Sequence, residues 1–181
     1  MMVPPLGDAP KHFLHPCTIF VHKEEHWVST ILGSCISICL WDQPLGLGGI
    51  NHYMLPLWNG EGLATPKYGN IAIEKLIDKM LSLGSRKDRL VAKAFGGAKV
   101  IHGDAGTQSV GERNIQLARE TLAKHGIPLV ASDMGGTRGM KILFNTRTGQ
   151  VLSARLSAED PLTRILPDGR PKVTLPGKGG A

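Results

Sequence analysis

Of the side chains in this sequence able to attack a carbonyl, Cys35 stands in the most suggestive setting: in STILGSCISICL it follows a Gly33-Ser34 turn and precedes an apolar run of strand length. A thiol at such a corner is exposed yet held by backbone on both sides. Hydrolysing an amide requires a thiolate to attack, a base to form it, a proton for the departing nitrogen and donors for the oxyanion. His52 is the candidate base and proton carrier. It lies on the next run, beyond one glycine-rich turn, so antiparallel pairing would set its ring beside Cys35. An imidazolium there would lower the thiol pKa from its usual value of about 8.5. The amides of Ser34 and Cys35 are candidate oxyanion donors, and Ser29 or Thr30 could orient the imidazole; spacing alone does not choose between these two hydroxyl residues.

Competing uses of the same residue types are weaker. Free cysteines and strand histidines often serve only to fill a core. Zinc held by Cys35 and Cys39 is disfavoured, because residues four apart on a strand stand roughly 13 Å from each other. His12, His15, His22 and His26 form a loose group read as surface histidines, so no metal site is assigned. The glycine-rich pieces GLGG and FGGAK complete neither a P-loop nor a dinucleotide fingerprint and read as turns.

The elements that must position these residues are legible as periodicities. Thr18 to Val21, Trp27 to Leu32, Cys35 to Trp41, Ile50 to Leu55, Leu90 to Phe95, Ile127 to Ala131, Met140 to Phe144 and Val151 to Leu156 have strand character. Lys99 to Ile101 could extend the fifth of these runs beyond a bend. Asn70 reads as the cap of a helix with apolar residues at 73, 76, 77, 80 and 81, closed by Gly84. Ser109 and Glu112 fit a capping box for a second helix ending at Gly126. Strands that arrive in pairs around two main helices predict an α+β fold, a layered sandwich with mixed, largely antiparallel strands. Residues 1–17 are expected as a loose N-terminal arm, 18–160 as one domain, and 161–181 as a flexible C-terminal tail.

At 181 residues and 41% hydrophobic the chain suits one domain with its own core. A net charge of +6 admits an acidic partner, but Lys and Arg are dispersed and not interleaved with aromatics, which argues against nucleic acid. No run is long and apolar enough for a membrane helix, and the first residues lack a secretion signal, so a cytoplasmic protein without membrane insertion is expected. Three cysteines, an odd count, suit thiols in a reducing compartment.

LGSCISICLWD followed by GGINHYMLP closely resembles the CheD family, whose signature places a cysteine after Leu-Gly-Ser and a histidine in Gly-Gly-Ile-Asn-His; these are Cys35 and His52. The likeness continues through KAFGGAKVI, VGERNIQLARETL and DMGGTRGMKILFNTRTGQV, over roughly residues 20 to 157. It implies a fold similar to toxin-like cysteine hydrolases. It also implies hydrolysis of glutamine side chains of methyl-accepting chemotaxis receptors to glutamate through a thioester, without metal or cofactor. The family uses a Thr-Cys-His constellation; at the usual threonine spacing stands Ser29, with Thr30 beside it, so both are carried as candidates. The implied partner is the receptor's cytoplasmic domain, and a CheC-type phosphatase, which some members bind, is a candidate second partner. The alternative is an adaptor that docks a receptor or phosphatase without catalysis.

Overall fold

Short alternating runs rich in β-branched and aromatic residues, divided by two amphipathic stripes, become nine strands and two helices in the computed structural model, which describes residues 6–99 and 108–157. In chain order these are β1 (Lys11–Phe13), β2 (Thr18–Val21), β3 (Trp27–Leu32), β4 (Ile36–Asp42), β5 (Leu47–His52), α1 (Gly69–Ser82), β6 (Leu90–Gly96), α2 (Val110–Lys124), β7 (Leu129–Met134), β8 (Met140–Asn145) and β9 (Val151–Arg155). A single 3-10 turn, Lys87–Arg89, leads into β6.

The strands form two sheets, one of order β1-β3-β8-β9 and one of order β2-β5-β4-β6-β7. Pairing is antiparallel except for β1 with β3 and β6 with β7, the second of these pairs joined through α2. Alternation along β4 sends Ile36, Ile38 and Leu40 to one face, where they pack with Ile73, Leu76 and Met80 of α1 and Leu117 and Leu122 of α2. Cys35 and Cys39 face the other way, into a second core with Val28, Leu32, Ile50, Phe95, Ile142 and Phe144. The result is three layers, helices on sheet on sheet, in agreement with the α+β sandwich expected from the sequence.

Several boundaries differ from the sequence expectation for identifiable reasons. β5 begins at Leu47, inside the stretch read as a turn, because Gly48 and Gly49 are needed for close approach: a Cβ on Gly48 would meet the Thr146 carbonyl oxygen at 2.6 Å, and one on Gly49 would meet Val21 at 2.7 Å. Asn70 is not the cap of α1; Tyr68 is, and Asn70 Oδ1 instead accepts from the Trp58 amide at 3.0 Å. The capping box of Ser109 and Glu112 forms as expected. The stretch expected as a loose arm is tied down from Lys11, since β1 pairs with β3 and Leu14 is fully buried between the sheets. The tail at 161–181 and the extension through Val100 and Ile101 lie outside the described residues.

Because Leu14 fills the inter-sheet core, Leu14→Ala should destabilise the protein by about 2–5 kcal/mol. Urea unfolding monitored by tryptophan fluorescence measures this, and a loss below about 0.5 kcal/mol, the range of an ordinary surface site, would mean that the segment before β2 does not carry core packing.

Candidate active site

The site is assembled where β4 and β5 cross the middle of the five-stranded sheet. Their antiparallel register runs from Asp42 opposite Leu47 to Cys39 opposite Ile50, and resumes on the same register at the bridge between Ile36 and Tyr53. Between these stretches the Ile38 amide donates to the side-chain Oδ1 of Asn51 at 2.9 Å, so a side chain replaces the backbone acceptor and the ladder is interrupted beside His52. On this register Cys35 and His52 are diagonal neighbours on the inward face, a relation within reach of long and aromatic side chains. Both are buried, at 6% and 2% exposure.

Thr30 reaches the same place from the facing sheet. Alternation turns Val28, Thr30 and Leu32 of β3 inward and leaves Ser29 and Ile31 partly exposed on the opposite side. Thr30 Oγ1 lies 2.8 Å from the Leu14 carbonyl oxygen and 2.8 Å from His52 Nδ1. A hydroxyl has one proton. Given to Leu14, it leaves Oγ1 as acceptor, so Nδ1 of a neutral His52 carries the ring proton and Nε2 bears the lone pair. Nε2 is buried and has no hydrogen-bond partner among the described residues. Of the two hydroxyl candidates, the structure brings Thr30 to the imidazole; Ser29 turns away, and its backbone carbonyl accepts from the Leu14 amide at 2.8 Å.

Burial sets the charge state. The Cys35 thiol is pushed up to about 12, chiefly by desolvation, with the nearby Cys17 thiol adding to the rise and the Cys35 amide opposing it. Desolvation pulls His52 down to about 4. The expectation that an imidazolium would lower the thiol pKa is therefore corrected: thiol and imidazole both rest neutral, because each would have to be charged in a dry interior. Cys39, fully enclosed beside Ile50, is likewise raised by burial and reads as core. Cys17 sits at the edge of the site in a left-handed conformation, φ +65°, its amide donating to the His52 carbonyl at 2.8 Å and its thiol to Met54 Sδ at 3.4 Å.

The turn carrying the nucleophile candidate is gripped from behind. The carbonyls of Gly33, Ser34 and Cys35 accept, respectively, from the Ala98 amide at 2.9 Å, Asn114 Nδ2 at 2.9 Å and the Gly97 amide at 2.8 Å. Among the described residues the amides of Ser34 and Cys35 donate to no other residue, and the Cys35 amide lies toward its own thiol. Of the N-terminal histidines, His12, His22 and His26 gather around Phe20, with His12 stacked on that ring at 4.4 Å and His22 beside His26 at 4.6 Å, while His15 sits edge-on to Phe13. Among the described residues no three His, Cys, Asp or Glu side chains converge as a metal site.

The family model for CheD chemotactic sensory transduction matches residues 54–155. A probable chemoreceptor glutamine deamidase CheD of Trichlorobacter lovleyi is 54% identical over 145 residues, covering 80% of this chain and 90% of that protein. The chain belongs to the CheD family. A CheD relative from Sulfurimonas denitrificans, also named a probable chemoreceptor glutamine deamidase, is 47% identical over 78% of this chain and 92% of its own length. A solved protein of the DUF152 family from Neisseria meningitidis is a distant likeness, with a TM-score of 0.42 and 12% identity over 71% of this chain and 63% of that one.

Reading the sequence alone missed two contributors to the site. Leu14 acts through its backbone carbonyl, for which no residue type is a signal. Asn114 lies in the VGERN run noted for its family likeness, and an asparagine on the buried side of a mostly apolar helical stripe is the signal that could have drawn attention to it.

Two outcomes check the geometry. Thr30→Val, which leaves the buried Nδ1–H without an acceptor, should cost about 1–3 kcal/mol, while Thr30→Ser should cost clearly less; equal losses in chemical denaturation would show that the hydroxyl is not the anchor. Since His52 is lowered to about 4 in the folded protein and returns to about 6.5 on unfolding, the unfolded chain takes up a proton across this window, and stability falls as pH drops through it. Urea unfolding between pH 7 and 4 should show a shallower fall for His52→Gln than for the wild type; parallel curves would mean that His52 is not buried as a neutral ring.

Proposed function

We propose that this chain is a protein-glutamine deamidase acting on chemotaxis receptors, with Cys35 as nucleophile and His52 as base and acid. The observation that carries the reading is the half-satisfied imidazole: Nδ1 is committed to Thr30 at 2.8 Å, while Nε2 is buried with no partner among the described residues. Leaving a buried acceptor unmade costs about 1–3 kcal/mol, a cost a structural histidine would ordinarily avoid.

In the proposed reaction Nε2 takes the Cys35 proton as Sγ attacks the glutamine side-chain carbonyl carbon. The amides of Ser34 and Cys35 donate to the oxygen as it becomes negative. The imidazolium, held by Thr30, gives its proton to the departing nitrogen, and ammonia leaves a thioester on Cys35. His52 then deprotonates a water that attacks the thioester, and the returned proton restores the thiol as glutamate is released. The scheme uses no metal and no organic cofactor. Because thiol and imidazole rest neutral, proton transfer accompanies attack on a bound amide and no thiolate stands ready beforehand.

The substrate assignment draws on the relatives, named as probable chemoreceptor glutamine deamidases; in this reading the protein acts on the receptor's cytoplasmic domain and works in the cytoplasm. The net charge of +6 suits a partner that gains a carboxylate at each turnover. A CheC-type phosphatase is retained as a second partner. The adaptor reading draws on the high thiol pKa of about 12, which a cysteine with no chemistry would also show.

Receptor cytoplasmic fragments incubated with the protein should gain about one mass unit at particular glutamines, and Cys35→Ala should abolish the gain without unfolding the protein. His52→Ala should slow it by about 10²–10⁴-fold. Deamidation that persists in Cys35→Ala would end the mechanism; binding without deamidation by the wild type would favour the adaptor. In the absence of substrate, Cys35 alkylation should be slow at neutral pH and keep rising through pH 9, whereas a plateau below pH 7 would reveal a preformed thiolate.

A further inference from the structure

Asn114, on the first turns of α2, is fully buried and spends both of its Nδ2 protons on backbone carbonyls: Ser34 O at 2.9 Å and Met54 O at 2.9 Å. Its own backbone carbonyl accepts the Tyr53 hydroxyl at 2.7 Å. One side chain therefore ties the residue before Cys35 to the residue two beyond His52, and both to the helix layer. Gly111 lets α2 approach this closely, since a Cβ there would meet the Gly97 carbonyl oxygen at 2.5 Å.

The Ser34 carbonyl belongs to the same rigid, trans peptide unit as the Cys35 amide. In such a unit the C=O and N–H bonds point in opposite directions. Gripping the oxygen from the helix side therefore aims the Cys35 N–H away from α2, toward the thiol side of the turn, and among the described residues that N–H donates to no other residue. The preceding peptide is treated alike, the Ala98 amide holding the Gly33 carbonyl at 2.9 Å and so orienting the Ser34 N–H. Among the described residues Asn114 is the one side chain that holds a carbonyl of this turn.

We infer that Asn114 is a positioning residue for the oxyanion site, fixing the Cys35 amide in the direction from which it meets the developing negative charge on the substrate carbonyl. The inference rests on the deamidase reading and adds to it a residue that touches neither substrate nor thiol. Its contribution belongs to the transition state. Without Asn114 the peptide loses its side-chain anchor and the oxyanion an aligned donor, while the thiol keeps its place and its burial.

The test uses the full chain, receptor cytoplasmic fragments as substrate and ammonia release as readout, with Asn114→Ala, Asn114→Asp and Leu117→Ala. Leu117→Ala weakens the same helix by removing a buried apolar side chain, and Asn114→Asp keeps the volume while removing the donor, which serves if the alanine variant does not fold. Asn114 variants should lose up to about 10²–10³-fold in kcat, the effect of removing an oxyanion donor, with KM little changed. Alkylation of Cys35 by iodoacetamide, which develops no oxyanion, should change far less than kcat, and Leu117→Ala should keep its kcat. Unchanged kcat in a folded Asn114 variant overturns the inference, as does an equal fall in Leu117→Ala or a parallel fall in alkylation. Were the wild type itself to show no Cys35-dependent ammonia release, the deamidase reading would fail first and this inference with it.

Discussion

The hydrogen bond between Thr30 and His52 crosses the space between two sheets, and most of the arrangement around it exists to make that crossing possible. Facing sheets pack about 10 Å apart, and the gap is ordinarily filled by apolar side chains. Here it admits a hydroxyl from β3 and an imidazole from β5, joined at 2.8 Å. The hydroxyl is aimed by the Leu14 carbonyl, the imidazole by the strand whose ladder Asn51 interrupts, and Cys17, just before β2, covers the His52 backbone with its amide. A shift of either sheet by a fraction of an ångström would break the contact and leave the ring tautomer unspecified.

Dryness is the second constraint, and it works against the first. Ser37 Oγ, Asn51 Nδ2, His52 Nε2 and Asn114 Oδ1 are all buried without partners among the described residues, a concentration of unmet polar atoms around one short stretch of β4 and β5. Each such atom costs free energy, and the compensation comes from the apolar cores on either side of the five-stranded sheet. The same dryness holds Cys35 and His52 neutral. A buried ion pair is favourable only when its geometry and remaining hydrogen bonds offset the loss of water. A neutral pair resists oxidation and stray alkylation.

Cys35 and His52 stood out in the sequence as candidates because chemistry restricts residue type: a cysteine at a Gly-Ser turn and a histidine on the next run. The choice between Ser29 and Thr30 was not, since both carry hydroxyls and adjacent strand residues differ only in the face they present. That face depends on β8 and β1 pairing with β3, contacts formed with distant parts of the chain. Gly48 and Gly49 misled in the other direction. Glycine serves turns and close strand approach alike, and only the neighbours, Thr146 and Val21, decide which. The helices were clear because their periodicity is local, though the start of α1 was misplaced when Asn70 turned out to satisfy the Trp58 amide instead. The charge state of Cys35 could not be read at all, because desolvation is a property of the enclosure.

The pairing of β3 has a consequence for how the molecule comes into being. Trp27 pairs with Asn145 and Leu32 with Met140, so the strand bearing Thr30 finds its antiparallel neighbour more than a hundred positions later in the chain. Contacts so distant in sequence close slowly, because the intervening loop entropy must be lost before the pairing is rewarded. During synthesis the segment with Cys35 and His52 leaves the ribosome well before β8 exists, and until then no facing sheet orients the imidazole. Assembly of the candidate site is thus coupled to completion of the fold: an unfinished chain carries Cys35 and His52 without the Thr30 contact that orients the ring.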